Sequence, residues 1–376
     1  MPVPINSEIE EMMNNPSVYN PLRRPLRKLY DFLSSVRLAL VLLVSILVIC
    51  LVGTTFLSGD KAVKLVFSTL WFNALLVLLV INIACCFSGR IFGRLLTVIS
   101  FGMILFHVSF VTILLGIVYN SLFYFRGTIR LTEGETLHSG DSNSYDKFSH
   151  GRFFSFLSVR GETTLKTVHH NYKVGMEDKR SAFEIEVGEQ GDKKSGIIYV
   201  THNLTHKGFS YYPDAEGYSL LVMLADAGGK DIYGAHIPLQ SLKQKDKSYI
   251  YVTGSKEGAA PFPFPQEYAQ PFMGLMLGLV PPVKLDRTGT VFYKAYPIVG
   301  DNYKLADEPV LEGKVNIGES FNAFSHGISV REIRFWSTMT VRYEPGKPLV
   351  LTSLWIGLLG MTITTLGRLF TRRGQK

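Results

Sequence analysis

The amino-acid sequence predicts a membrane protein: four transmembrane helices, three N-terminal and one C-terminal, with a large, mainly antiparallel β domain between the third and the fourth. Two observations support this fold class. The apolar residues gather in four blocks, and the mean hydropathy of +0.17 is high for a soluble protein of 376 residues. The long segment between the third and fourth blocks instead has the short, partly alternating apolar runs that are typical of strands. A plain soluble enzyme is therefore excluded.

The four apolar blocks span approximately residues 38–57, 65–87, 95–125 and 348–366. Each has about 19 or more mostly apolar residues, enough to cross a hydrocarbon core of ~30 Å. The third block is the longest, and we expect it to tilt or to extend beyond the bilayer. The leader before the first block is too long for a cleaved signal peptide, so we expect an uncleaved anchor. The predicted segments are a leader (1–37), three helices (38–125), the β domain (126–346), a fourth helix (347–367) and a basic tail (368–376).

Basic residues mark one side of the membrane. Basic and acidic residues nearly balance in 126–346, so the net charge of +8 comes from the segments beside the apolar blocks. Cytoplasmic loops are enriched in Lys and Arg. Both termini are therefore expected in the cytoplasm and the β domain outside the cell (inner) membrane, in a periplasm or its equivalent; nucleic acid is not expected as a partner. The predicted cytoplasmic charges are Arg23, Arg24, Arg27, Lys28, Arg37, Arg90, Arg94, Arg368, Arg372, Arg373 and Lys376, against Lys61 and Lys64 opposite.

The segment 126–346 is predicted to be an antiparallel sandwich or open barrel. Its strand candidates are rich in β-branched and aromatic residues and are separated by turn sequences containing Gly, Pro and Asp. One stretch, 272–280, is the only candidate helix there. With the preceding Pro-Phe-Pro-Phe-Pro run it forms a strongly apolar stretch, for which a membrane-interface position, a partner surface and burial in the domain core all remain open. The strand candidates are 181–187, 196–200, 218–224, 290–299 and 328–343.

His107 is the most informative single residue. It lies about midway along the third block with apolar neighbours on every side. An ionisable residue at that depth is costly and by default indicates a functional site, such as a proton relay or a metal ligand, including a ligand of haem iron. The alternative is a neutral imidazole that bonds another helix, for which Asn82 is the candidate partner. No other block contains histidine, so a six-coordinate bis-His site needs its second ligand from a partner chain.

The other histidines and the cysteines give weaker signals. His202 and His206 have a spacing that suits a metal on a helix, but their surroundings predict strand and turn, so a zinc site is not favoured. His169 and His170 are interpreted as a solvated pair in a loop. Cys85 and Cys86 are interpreted as small packing residues. The segment 126–346 has no cysteine, which excludes disulfides there.

Sequence signatures of independent catalysis are missing. The chain has no G-x-S-x-G, no phosphate-binding P-loop and no C-x-x-C-H sequence for covalent haem attachment. Catalytic residues are therefore not assigned, and an autonomous enzyme is not expected.

Several segments resemble the ResB (CcsB) family of System II cytochrome c biogenesis. The resemblance extends over nearly the whole chain and rests on the order of the segments together with the topology, since no single motif is diagnostic. The segments are LSSVRLALVLLVSILVICLVGT (33–54), STLWFNALLVLLVINIACCFSGR (68–90), FHVSFVTILLGIVYNSLFYFRGTIRLTEGET (106–136), VTHNLTHKGFSYYPDAEGY (200–218) and TVRYEPGKPLVLTSLWIGLLGMTITTL (340–366).

The resemblance implies a non-autonomous subunit of a cytochrome c haem lyase (synthetase). With a ResC (CcsA)-type membrane subunit it would carry haem across the membrane and support its attachment to the C-x-x-C-H thiols of apocytochrome c. By the same resemblance His107 matches an axial ligand to haem b held transiently within the membrane, the second ligand comes from the partner, and a thioredoxin-like protein reduces the thiols. The competing hypothesis is a membrane-anchored β-domain scaffold or sensor in which His107 only packs.

Overall fold

The computed structural model describes residues 23–57, 59–91, 97–244, 249–255, 258–265, 270–280, 287–300 and 304–373. The chain forms two compact units. A helix unit comprises Met1–Tyr124, Ser149–Phe154 and Glu344–Lys376, and a β unit comprises Phe125–Phe148 and Ser155–Tyr343. Residues 1–22 of the predicted leader, together with Arg94 and Lys376, lie outside the described residues.

Four helices are long and apolar enough to cross a membrane, and they coincide with the four predicted spans. This confirms the predicted fold class and identifies a membrane protein by length and composition. A fifth, amphipathic helix precedes the first span and was not predicted. The helices are α1 (Arg23–Leu33), α2 (Val36–Phe56), α3 (Leu70–Ile91), α4 (Val98–Phe123) and α5 (Lys347–Arg373).

The second span begins later than predicted, because the α-helix that spans the membrane starts only at Leu70. The segment 60–67 forms a short helical turn, Asp60–Ala62, followed by a π-helical turn, Val63–Phe67. The Thr69 hydroxyl donates to the Val66 carbonyl and the Asn73 backbone N–H donates to Thr69 O at 3.1 Å, which closes the first turn and starts a new helix. Apolar composition alone does not show this break.

Helices α4 and α5 pack closely through small residues. On α4 these are Gly102, Ser109 and Gly116, seven residues apart, and all three are buried. A Cβ added to Gly360 of α5 would lie 2.8 Å from Gly102 O, and one added to Gly357 would lie 2.5 Å from Ser109 Oγ. Small residues at such positions let two helix backbones approach closely inside a membrane. We call this contact the small-residue seam.

The β unit contains almost all of the strands, in chain order. They are β1 (Phe125–Thr132), β2 (Thr136–His138), β3 (Lys147–His150), β4 (Glu162–His170), β5 (Lys173–Val174), β6 (Glu177–Asp178), β7 (Ser181–Glu189), β8 (Asp192–Ile198), β9 (Leu204–His206), β10 (Phe209–Ala225), β11 (Asp231–Pro238), β12 (Gln240–Lys243), β13 (Tyr249–Val252), β14 (Gly254–Ser255), β15 (Gly258–Ala259), β16 (Phe262–Phe264), β17 (Met273–Leu279), β18 (Thr290–Val299), β19 (Lys304–Leu305), β20 (Leu311–Asn316), β21 (Ser320–Ala323) and β22 (His326–Tyr343).

The two longest strands form the centre of the largest sheet. Its strand order is β11-β10-β22-β1-β3, with β9 on β10 and β21 on β22. Strand β22 pairs antiparallel with β1, where Phe125 faces Tyr343, and with β10, where Tyr218 faces Phe335. A second sheet has the order β12-β13-β17-β18-β19, and a third has the order β2-β4-β7-β8. The predicted strands 181–187, 290–299 and 328–343 lie within β7, β18 and β22, which confirms them.

The helix considered for 272–280 is wrong. This stretch is strand β17, paired with β16 and β18, and six of its seven residues are buried. A short apolar run has no period that separates a buried strand from a buried helix. Because Phe264 of the preceding run is also fully buried, burial in the domain core is the correct alternative for the described part of this stretch.

The buried carboxylate of Glu133 ties three parts of the β unit together. One carboxylate oxygen accepts the Val168 N–H at 2.8 Å from β4, and the other accepts Arg287 Nη2 at 3.0 Å. The Glu133 backbone N–H donates to Phe335 O of β22 at 2.9 Å. Only 6% of Glu133 is exposed, so these bonds replace its hydration.

Replacing Glu133 with Ala should lower the free energy of unfolding of the β unit by about 3 kcal/mol, because the Val168 N–H loses its charged acceptor while buried. Unfolding would be followed by the fluorescence of the buried Trp336 in the detergent-solubilised chain, with Trp71 and Trp355 replaced by Phe. Glu177→Ala is the control, since that carboxylate is 74% exposed. Equal free energies of unfolding in the two variants would show that the buried carboxylate of Glu133 contributes no more to stability than the exposed carboxylate of Glu177.

Replacing Gly357 with Leu should separate α4 from α5, because the new side chain overlaps Ser109 at the small-residue seam. Overpacking of this kind typically costs about 1–3 kcal/mol. The measurement is the thermal midpoint of helix unfolding in detergent by circular dichroism. Thr362→Leu on the exposed side of α5 is the matched control, and an equal midpoint for the two variants would contradict close packing here.

Candidate functional site

His107 lies in the first half of α4, with its imidazole in a fixed protonation pattern. Its Nδ1 is 2.7 Å from the carbonyl oxygen of Met103, one turn earlier. A carbonyl oxygen only accepts, so Nδ1 carries a proton, and in the neutral form of the ring the lone pair lies on Nε2. Histidines that ligate metals commonly donate their other ring N–H to a carbonyl in this way.

Two aromatic side chains surround the His107 ring. The ring centroid of Phe87, on α3, is 3.7 Å away with an interplanar angle of 35°. Phe106, the preceding residue, lies edge-on at 5.3 Å. These contacts hold the imidazole between two apolar side chains and restrict its rotation.

His107 lines a cavity of about 400 Å³ in the helix unit. Ligand and cofactor pockets commonly occupy ~300–1,000 Å³ and have mostly apolar walls with a few polar groups. Three of the lining residues, Val36, Leu40 and Leu43, belong to α2 and remain exposed, so the cavity is not sealed. The cavity is lined by the apolar residues Val36, Ala39, Leu40, Leu43, Leu79, Ile83, Phe87, Phe106 and Phe110 and by the polar residues Ser34, Asn82, Cys86 and His107.

Asn82, the candidate partner in the alternative interpretation of His107, bonds other groups instead. Asn82 is fully buried on α3, and its Nδ2 donates to Leu33 O at 2.6 Å and Ser35 O at 3.1 Å. These carbonyls lie where α1 ends and α2 begins. The end of a helix leaves carbonyl groups without the backbone N–H donors that a continuous helix supplies. Asn82 therefore donates hydrogen bonds to backbone carbonyls at the junction of α1 and α2. It has in common with His107 that both residues line the cavity.

Cys86 has the same structural task as Asn82. Its Sγ lies 2.9 Å from Ser34 O, the remaining carbonyl of this junction. The predicted packing role of Cys86 therefore needs one addition, a weak hydrogen bond from the thiol to the backbone.

The cavity and its residues fit a haem. The Nε2 lone pair of His107 suits iron, and the apolar walls suit the faces of a porphyrin. Among the described residues, no group of three or more His, Cys, Asp or Glu side chains could hold a metal ion by itself. The arrangement thus offers one imidazole and mostly apolar walls.

Sequence interpretation placed the His202–His206 pair correctly on strand and turn. His202 lies beside Tyr199 in a tight turn, with their rings stacked at 5.2 Å, and His206 ends strand β9. The two side chains are thus held on separate elements, without the helix that a metal site with this spacing requires.

The interpretation of His169 and His170 as a solvated loop pair is wrong. Both residues end strand β4, where successive side chains point to opposite faces. The His170 ring packs on Phe335 at 4.2 Å, which half-buries it. Burial disfavours the charged imidazolium and lowers the pKa of His170, although Glu216 and Glu133 oppose this shift.

The lowered pKa of His170 predicts loss of stability in mild acid. The unfolded chain, with an ordinary histidine pKa near 6.5, takes up this proton before the folded chain does. The free energy of unfolding should therefore fall as the pH drops below about 6.5. His170→Phe should reduce the dependence of the free energy of unfolding on pH. Part of this dependence should remain, because burial also lowers the pKa of His236.

This pH dependence would be measured from chemical unfolding of the detergent-solubilised chain between about pH 7.5 and 5. The control is His138→Phe, because the side chain of His138 on β2 is 79% exposed. An unchanged pH dependence in His170→Phe would rule out His170 as a source of the acid sensitivity.

His107 lies in a segment of the chain that matches a known protein family. Residues 97–214 match the model of the ResB-like family, and no curated protein matches the chain. The matched segment contains α4 with His107, strands β1–β9 and the first part of β10. It also contains Glu133, which ties β4 to β22. The resemblance of this chain to the ResB (CcsB) family is therefore confirmed over residues 97–214.

Proposed function

We propose that this chain is the subunit of a membrane cytochrome c synthetase complex that carries haem across the membrane and supports its attachment to apocytochrome c. The ResB-like match supports a role in cytochrome c biogenesis. The observation that carries the finer proposal is the position of His107: its Nδ1 bonds Met103 O, which leaves Nε2 to face a ligand, and the residue lines a mostly apolar cavity among membrane-spanning helices.

In this proposal His107 is an axial ligand of the haem iron. The Nδ1–H···O bond to Met103 fixes the tautomer, and Phe87 limits the ring to a narrow range of orientations. Phe106 and Phe110 add apolar surface to the wall of the cavity. The bound haem supplies two vinyl groups, to which the thiols of a C-x-x-C-H sequence add to form thioethers.

The second axial ligand would come from a ResC (CcsA)-type membrane subunit. The other eight histidines of this chain all lie between the third and fourth spans, and none lies within a span. A bis-His site therefore requires a second chain. The β segment has no cysteine, so a thioredoxin-like protein would reduce the apocytochrome thiols before attachment.

The proposed orientation places both termini in the cytoplasm and the β unit in the periplasm or its equivalent. It follows from the basic residues beside the spans. This arrangement puts the β unit on the side where apocytochrome c is modified.

The test is the absorption spectrum of the complex purified with its ResC-type partner in mild detergent. Wild type should show a bis-His b-type haem spectrum, and His107→Gly should lose it and regain it with added imidazole, because free imidazole can occupy the vacated ligand position. Thr112→Ala is the matched control. It removes a side chain on the same helix that also bonds the carbonyl four residues earlier, Val108 O, yet does not line the cavity.

Either of two results would contradict the proposal. Unchanged haem content in His107→Gly would exclude ligation by this residue. A wild-type complex without haem would favour the scaffold hypothesis, in which His107 only packs between Phe87 and Phe106.

A further inference from the structure

The short helix α1 has its charged and its apolar residues on opposite sides. An α-helix turns by about 100° per residue, so residues three or four apart share a side. Arg27, Lys28 and Asp31 therefore fall on one side of α1. The opposite side is apolar and consists of Leu29, Tyr30, Phe32 and Leu33. With 11 residues, or about 16 Å, α1 is too short to cross a membrane, and this pattern is typical of a helix that lies in the plane of the membrane surface.

Two of the spans place α1 at a membrane surface. The first span begins at Val36, directly after α1, and the apolar part of the second span ends at Phe87 on α3. The Tyr30 hydroxyl donates to Cys85 O at 3.0 Å, in the last turn of that apolar part. Helix α1 therefore lies where the first span begins and the second span ends, which is the same surface of the membrane.

Only one flank of the apolar side of α1 packs on the protein. Leu33 is half-buried and its carbonyl accepts Asn82 Nδ2, while Tyr30 bonds α3 through its hydroxyl. The other flank consists of Leu29 and Phe32, which are 53% and 60% exposed. The bonds to α3 hold these two large apolar side chains at the level where headgroups meet hydrocarbon, the depth to which such helices bury their apolar residues.

The charged side of α1 is basic. The helix carries Arg23, Arg24, Arg27 and Lys28 against one acid, Asp31. Arg27 and Lys28 are exposed. Basic side chains at a membrane surface attract anionic lipid headgroups, and this attraction fades within a Debye length. The charge of α1 is therefore complementary to a phospholipid with a net negative headgroup.

We propose that α1 is a docking helix for anionic phospholipids: Leu29 and Phe32 enter the hydrocarbon boundary, and Arg27 and Lys28 bind the lipid phosphate groups. The order of the two sides favours lipid over a partner protein, because an apolar side and a basic side match the hydrocarbon and headgroup layers of one leaflet. This inference goes beyond the proposed function and does not depend on haem.

The test is the quenching by brominated lipids of a tryptophan placed on the exposed flank. Phe32→Trp would be made in the full chain with Trp71 and Trp355 replaced by Phe, and the same chain without Phe32→Trp gives the background from Trp336. The vesicles contain phosphatidylcholine with a minority of phosphatidylglycerol. Bromine is carried by the phosphatidylglycerol in one sample and by an equal amount of phosphatidylcholine in the other. Quenching by the anionic lipid should be stronger by about threefold, because the basic side chains collect it.

Two charge variants assign this preference to α1. Arg27→Gln combined with Lys28→Gln should bring the two quenching values close to equality. Lys61→Gln combined with Lys64→Gln is the matched control, because it removes two exposed lysines from the helical turns that follow the other end of the first span. The control should keep the preference. An unchanged preference in the first variant, or an equal loss in both, would overturn the role of α1.

A salt titration tests the same preference without removing a charge. The ratio of the two quenching values should fall toward one between about 0.1 M and 1 M sodium chloride, since the Debye length shrinks from about 10 Å to 3 Å. A ratio that does not depend on salt, or equal quenching by the two lipids at low salt, would overturn the selection of anionic lipid. Absence of quenching by either lipid would mean that water or a partner protein covers this flank, and it would overturn the proposal as well.

Discussion

The small-residue seam between α4 and α5 is the constraint on which the remaining structure depends. In the sequence α4 precedes the β unit and α5 follows it. Their contact therefore joins chain segments that are far apart in sequence. Gly102, Gly116 and Gly360 leave no space for side chains, and the Gly346 N–H donates to Asn120 Oδ1 near the end of the contact. Inside the β unit, β1 and β22 pair at the residues that follow α4 and precede α5. The β unit is thus closed by pairing of its first and last strands, and the helix unit by packing of α5 against α4.

The interruption of the helix between α1 and α2 shapes the candidate site. Between α1 and α2 the helical pattern of backbone hydrogen bonds is interrupted at Leu33 and Ser34, whose carbonyls need donors inside an apolar unit, while Ser35 O already accepts the Ala39 N–H. Asn82 and Cys86 of α3 supply them, which fixes one wall of the cavity beside His107. The polar groups of α3, which a membrane helix tolerates only with difficulty, therefore serve to bond the backbone between α1 and α2.

Composition was sufficient to predict the four spans, and His107 stood out because no charged residue lies near it in sequence. Strands β7, β18 and β22 followed from β-branched and aromatic residues. Contacts between distant residues were beyond prediction, because pairing partners leave no local signal. For this reason the sequence offered His107 as a candidate partner of Asn82 but not the carbonyls of Leu33 and Ser35, which Asn82 bonds. His170 was placed in solvent because Phe335, which covers it, is far away in sequence. The apolar run of β17 lacked a period that could separate strand from helix.

The position of β22 has a consequence for biosynthesis. This strand lies between β1 and β10 in the largest sheet, yet it is the last strand of the unit to leave the ribosome. Until then β1 and β10 present unpaired edges, which are prone to wrong pairing and aggregation. The nascent chain is therefore most vulnerable just before its final helix is inserted. Truncation before residue 326 would leave the sheet without its central strand, however much of the domain had been translated.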